Sequence, residues 1–205
     1  MNEKTDINDD LPRLISEHAD QLNPESERGT VIVSAALMDE ALEDLIKARL
    51  VSSPGHEDEL FAGPYAPLGS FSAKTDFAYR LGLIGLSTRN SLHQIRKLRN
   101  DFAHSSVIES FDSSKVKNRV RELFKLNQNM LDIIWAVAKE REHPEVKRLT
   151  KDLDPSHSID NLVAIAGWRG MFEILVSLIA AALKIWRAEI EPLTSWADRP
   201  TDKDV

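Results

Sequence analysis

The 205 residues contain no cysteine, which excludes disulfide frameworks, zinc ribbons, thiol redox chemistry and cysteine nucleophiles together. Any chemistry must come from His, carboxylates, Ser/Thr, Lys or Arg. The amino terminus, MNEKTDINDD, has neither a basic nor an apolar stretch, so no secretory signal is read there and a cytoplasmic protein is expected. No apolar run has the length of a membrane span. The best candidate, Gly170 to Leu183, is bounded by Arg169 and Lys184 and interrupted by Glu173, whereas a span takes about 20 apolar residues. It reads as a buried helix. Clean apolar/polar alternation is also missing, so no β-strand is predicted.

What is present is a chain 42% hydrophobic and 29% charged, enough apolar surface to offset chain entropy and to exclude global disorder. Its net charge of -7 argues against a general nucleic-acid coat. The charge is unevenly placed. Residues 1–60 carry 5 basic and 15 acidic side chains, and residues 88–148 carry 13 basic and 8 acidic ones. Solvated helix faces, an anion-facing middle, or a dimer whose acidic and basic faces meet would each produce this pattern.

The apolar spacing is helical almost throughout. A short helix is expected over Pro12 to Leu22, ended by Asn23-Pro24, because the residue before proline is pushed out of the α region. A second runs from Ser26 to Val51 with Val31, Ala35, Met38, Leu42 and Leu45 on its inner side. Ser52-Ser53-Pro54-Gly55 opens a long loop reaching about Leu68. Ser70 caps a helix from Phe71 to Leu81, and Ser87 or Thr88 caps the next, which buries Leu92, Ile95, Leu98 and Phe102 and ends near His104.

Asp112 or Ser113 then caps a helix expected to run to Glu142, its stripe formed by Val116, Val120, Leu123, Asn127, Met130, Ile134 and Val137. Thirty residues would extend roughly 45 Å, long enough that part of it should meet a partner or the C-terminal helix. His143-Pro144 stops it. A segment from Glu145 to Leu153 leads to a last helix, from Ser158 or Asp160 to Glu191, followed by a polar tail from Thr194 to Val205. The fold class is all-α, a bundle of long antiparallel helices. One domain over 1–205 is expected, with an acidic arm and short helix (1–29), a core (30–142), C-terminal helices (143–191) and a tail (192–205).

The richest stretch is Ile95-Arg96-Lys97-Leu98-Arg99-Asn100-Asp101-Phe102-Ala103-His104-Ser105. Arg96, Asn100 and His104 are spaced by four and form one polar row on an unbroken helix. Arg99 and His104 are five apart, so they converge only if the helix turns at His104 or if two chains each supply a copy. Asp101 is within one turn of His104 and can hold its imidazole charged or in one tautomer. In a packing role, Arg99 and Asp101 would make ion pairs while His104 favours the helix terminus.

Together with Ala66-Pro67-Leu68-Gly69-Ser70-Phe71-Ser72-Ala73-Lys74-Thr75-Asp76-Phe77-Ala78-Tyr79, this stretch resembles the signature segments of the bacterial mannitol operon repressor family. The two segments cover about a quarter of the chain, and the helix order fits that family from Thr30 to Glu142. The resemblance implies an all-helical regulator of mannitol uptake and use that lacks a helix-turn-helix and works through other proteins. Arg96, Arg99, Asn100, Asp101, His104 and Lys74 are the candidate binding residues. The two segments are expected to touch.

Arg99-Asn100-x-x-x-His104 also resembles the Arg-x(4–6)-His pattern of HEPN domains, helical modules that include metal-independent ribonucleases. That alternative would make His104 the base for a 2′-hydroxyl and Arg99 the stabiliser of the phosphorane, supported by Asn100 and Asp101.

Other chemistries find little footing. Gly63-Pro64-Tyr65-Ala66-Pro67-Leu68-Gly69-Ser70-Phe71-Ser72, with Lys74 nearby, enters a helix in a way that faintly resembles an anion site at a helix N-terminus, but it lacks the Gly spacing and the Lys-Ser/Thr pair of a P-loop, and its glycines are expected to serve close packing beside the Arg/His helix. His56-Glu57-Asp58-Glu59 lies in a loop without a second His at helical spacing, and no metal site is expected. His18, His93, His143 and His157 are scattered singly, as surface or capping residues are. Trp168 and Trp186 are five turns apart and share a face, for core packing or an interface. The expectation is a cytoplasmic, homo-oligomeric transcriptional repressor of the mannitol type. It would act through a protein partner without a cofactor, a membrane or direct DNA binding, with RNA a substrate only under the alternative.

Overall fold

The computed structural model describes residues 7–104, 109–131 and 159–195. Among the described residues there are six helices: α1 (Ile7–Leu22), α2 (Glu27–Arg49), α3 (Phe71–Arg80), α4 (Leu86–His104), α5 (Ser114–Leu126) and α6 (Ile159–Glu189). The all-helical class is as expected, and among the described residues there is no strand. Helix α6 packs against α1, α2 and α5, while the opposite side of α2 carries the α3–α4 pair. Every apolar position expected inside α2 and α4 is buried. The rings of Phe102, Phe111 and Phe172 join α4, the turn before α5, and α6 at centroid separations of 5.8 and 5.4 Å.

Side-chain caps set most boundaries. Ser26, Ser70 and Ser113 each accept a hydrogen bond from the backbone amide three residues on, which satisfies one of the open N-terminal donors. The expected starts of α2, α3 and α5 are therefore found. The opening helix begins at Ile7 rather than Pro12, so Pro12 falls in its second turn and removes one interior donor instead of marking the first turn. The start of α4 also differs from the expected Ser87 or Thr88. Gly82 takes a positive φ of 71° and closes α3 with the bonds Leu83 N–H to Ala78 C=O (3.0 Å) and Gly82 N–H to Tyr79 C=O (3.0 Å). The chain reverses so tightly that Gly85 C=O already accepts the first bond of α4, from Arg89.

The single helix expected from Ser113 to Glu142 is interrupted. At Asn127 the backbone leaves the helical region (φ -130°, ψ 48°), and its buried side-chain amide donates to Ser91 Oγ and to Leu123 C=O, both at 2.7 Å. A side chain that bonds its own preceding turn competes with the helical ladder. A helical turn resumes at residues 128–131; Ile134, Val137 and the segment from Glu145 to Leu153 lie outside the described residues, as do the tail beyond 195, His143 and His157. Helix α5 packs against the C-terminal helix, one of the two contacts expected of it.

Helix α6 carries a non-helical residue at Gly167 (φ 69°, ψ 171°), a departure from the continuous helix expected. By length and composition α6 could cross a membrane, with a mean hydropathy of 1.7 over its most apolar window. In the fold, Met171, Phe172, Leu175, Ile179 and Leu183 are buried beneath the neighbouring helices. Trp168 and Trp186 are partly buried against the core, and the Arg121 guanidinium stacks 4.8 Å from the Trp168 ring. Arg169 bonds Glu173 and the carbonyls of Leu22 and Glu25, which locks the α1–α2 turn onto α6.

His18 is buried rather than superficial, and its Nδ1–H donates to Leu14 C=O at 2.6 Å. Burial pushes its pKa below the ordinary histidine value, with Lys184 adding to the fall against the opposing Leu14 carbonyl and Glu17.

Candidate functional site

The 51–69 loop brings the start of α3 beside α4. It is pinned by Phe61 and Leu68, whose side chains enter the core, and by Leu68 N–H to Leu60 C=O at 2.8 Å. Gly69 then turns into the helix so closely that a Cβ there would meet the carbonyl oxygen and Cβ of Ala66 at 3.2 Å. Across from this turn lies a row on α4 formed by Arg89, His93, Arg96 and Asn100. The spacing of four, three and four keeps the row on one helix face.

Two cavities line this groove and share Arg96. The first, about 490 Å³, lies between Ile32, Ala35, Ala36 and Asp39 of α2, the segment Gly69 to Ser72, and Arg96, Arg99 and Asn100. The second, about 420 Å³, holds Asp76, Arg89, Asn90, His93, Gln94, Arg96, Lys97, Glu122 and Leu126. Thus the two signature segments meet, as expected, and three of the six proposed binding residues converge in one cavity.

The other three are placed elsewhere. Lys74 is only 5% exposed and points at α2, bonding Glu43 at 2.7 Å and pairing with Asp39 at 3.1 Å. Burial pulls its ammonium down, but the hydrogen bonds and charges of Glu43 and Asp39 outweigh that and hold Lys74 above the ordinary lysine value. Glu43 is held below the usual carboxylate range, its burial outweighed by bonds from Lys47 and Lys74. Asp101 turns to α5 instead of His104, pairing with Arg119 at 2.9 Å and Lys115 at 3.2 Å. The bonds that Lys115 donates to Glu109 and Asp101 hold its ammonium above the usual lysine value.

His104 is exposed at the end of α4 and does not line the cavity that holds Arg99. The carbonyl of Ala103 beside it accepts from Arg28 at 2.7 Å, so a different cation serves that helix terminus. Arg99 itself bonds the Asn100 Oδ1 at 3.0 Å and makes no ion pair among the described residues. This arrangement does not support the ribonuclease alternative.

The sequence reading missed Arg89, His93 and Asp76. Asp76 accepts from Arg89 Nε at 2.7 Å and from His93 Nε2 at 3.1 Å; the His93 bond, then that of Arg89, holds its carboxyl below the usual range. The row through 89, 93, 96 and 100 was open to a spacing argument. The part played by Asp76 depends on the α3–α4 reversal.

No family model matches the chain, and no curated protein matches its sequence. Among solved structures, a chain of the X-ray structure of the MtlR–HPr complex from Escherichia coli aligns with a TM-score of 0.54, covering 83% of this chain and 98% of that one at 16% identity. The fold is the one seen there. It is the all-helical fold that the resemblance to the mannitol operon repressors implied, and the likeness reaches far beyond the quarter of the chain that carried it.

Proposed function

We propose that the protein is a cytoplasmic regulator of the mannitol operon repressor type that acts by binding other proteins, an HPr-type protein first among them. The observation that carries this reading is the fold shared with a chain solved in complex with HPr. The α4 groove supports it, because Arg96, Lys97 and Arg99 have no acidic partner among the described residues and leave a cationic surface for an acidic one. Direct groove reading of DNA is disfavoured by the net charge of -7. The acidic first third and basic middle of the chain suit association of copies, which sedimentation on the same sample measures.

The test is calorimetric titration of the full chain with HPr from the same host. Saturable binding is expected; a folded protein that gives no heat and does not co-elute with HPr refutes the reading. Incubation with RNA in EDTA is expected to leave the RNA intact.

A further inference from the structure

We propose that the cavity between α2, the start of α3 and α4 is a binding site for a small phosphomonoester. The argument starts from an imbalance of hydrogen-bonding groups. Arg96 and Arg99, one turn apart on α4, both line the cavity. Arg96 has no acceptor among the described residues, and its Nε is buried without one. The Asn100 Oδ1 is occupied by Arg99, which leaves the side-chain NH₂ as a donor. The amides of Phe71 and Ser72, in the first turn of α3, have no acceptor either, since the Ser70 hydroxyl is taken by Ala73.

The acceptor side is sparse. Asp39 is the one carboxylate on the wall, and it pairs at 3.1 Å with Lys74, which Glu43 shares; its buried Oδ1 accepts no well-aligned hydrogen bond. A cavity rich in donors and poor in acceptors is complementary to an oxyanion, and forked guanidinium donors match phosphate oxygens in particular. Two unmatched guanidinium groups balance a dianion, whereas a carboxylate would leave one charge over. The α3 terminus alone would not make this a site; the two arginines aimed at the same space do.

Size limits the ligand to a small molecule. The volume of about 490 Å³ lies within the range of small-molecule pockets, and the short side chains of Ala35 and Ala36 keep its floor open. Apolar Ile32 and polar Ser72 beside the anion position leave room for a short, partly polar group esterified to the phosphate. Arg96 and Arg99 also contribute to the cationic surface of the regulatory reading, and the two are told apart by experiment, because HPr binding is measured without the ester and ester binding without HPr.

The experiment is an NMR amide titration of the full chain with inorganic phosphate and with glycerol 3-phosphate, using glycerol as the uncharged control. Saturable shifts are expected at Phe71, Ser72 and the Asn100 side chain, tighter for the ester than for phosphate and absent with glycerol. Arg96→Ala and Arg99→Ala should each weaken binding about tenfold, the loss of one charge-assisted contact. Lys125→Ala, an exposed cation on α5 away from both cavities, should leave it unchanged, and circular dichroism checks that each variant is folded. No saturation, equal weakening by Lys125→Ala, or indifference to both arginine variants overturns the proposal.

Discussion

The two long edges of α4 both carry charged side chains and use them differently. On the edge facing α5, Asp101 is met by Arg119 and Lys115, and near the start of α4 the hydroxyl of Ser91 is met by the Asn127 amide. On the edge facing α3, Arg89 and His93 meet Asp76, but Arg96 and Arg99 further along have no anionic partner among the described residues and stand beside open volume. A charge matched within the fold contributes to the fold; a charge left unmatched beside a cavity is free to act on something else. Arg99, Asn100 and Asp101 are consecutive, yet Asp101 falls on one side of that division and its two neighbours on the other.

The largest expected effect lies in the matched set behind the cavity. Lys74→Met removes a buried cation from Asp39 and Glu43. Breaking a buried pair costs about 3 to 5 kcal/mol, and the partial exposure of both carboxylates reduces this to about 2 to 3 kcal/mol, read by denaturant unfolding. The pH dependence follows from the directions of the shifts. Glu43 is depressed in the folded state, so its contribution is present above the ordinary glutamate value and is lost as pH falls through the folded one. Lys74 is raised, so its contribution is present below the ordinary lysine value and is lost as pH rises through the folded one. The variant should therefore show a flatter stability profile at both limbs.

A smaller effect is expected at Asp101. Asp101→Ala takes the acceptor from Arg119 on the α5 edge and should cost about 1 kcal/mol, the upper end of the range for exposed pairs because both side chains are half-buried, with a salt sensitivity that the variant loses. Smallest of all is Arg99→Ala, whose exposed side chain makes no ion pair; its unfolding midpoint should stay within about 0.5 kcal/mol of the parent. If Arg99→Ala destabilised the fold as much as Asp101→Ala, the distinction between the two edges would collapse.

Much of this architecture was legible beforehand because it depends on local rules. Ser26, Ser70 and Ser113 cap helices by a contact three residues long, and the inner stripes of α2 and α4 follow from a spacing of three and four. Two exceptions were equally local in position but not in cause. Asn127 reads as one more polar member of a helical stripe until Ser91, on another helix, accepts its amide. Gly85 starts α4 early only because Gly82 has already reversed the chain. At the candidate site, the polarity of the Arg96-to-His104 segment was evident, but the assignment of each side chain was not. Lys74 looks as available as Arg99 in the sequence, and which of them meets a carboxylate depends on where α2 lies.

By itself, then, the amino-acid order determined an all-helical chain, most of its caps, its buried stripes and the segment where cations gather, because each of these is settled within one or two helical turns. The tertiary structure alone decided which charges are cancelled, that His104 stands apart from the cavity of Arg99, and that Arg96 faces open space. Those outcomes depend on distances between α2, α3, α4 and α5, which no spacing along a single helix encodes.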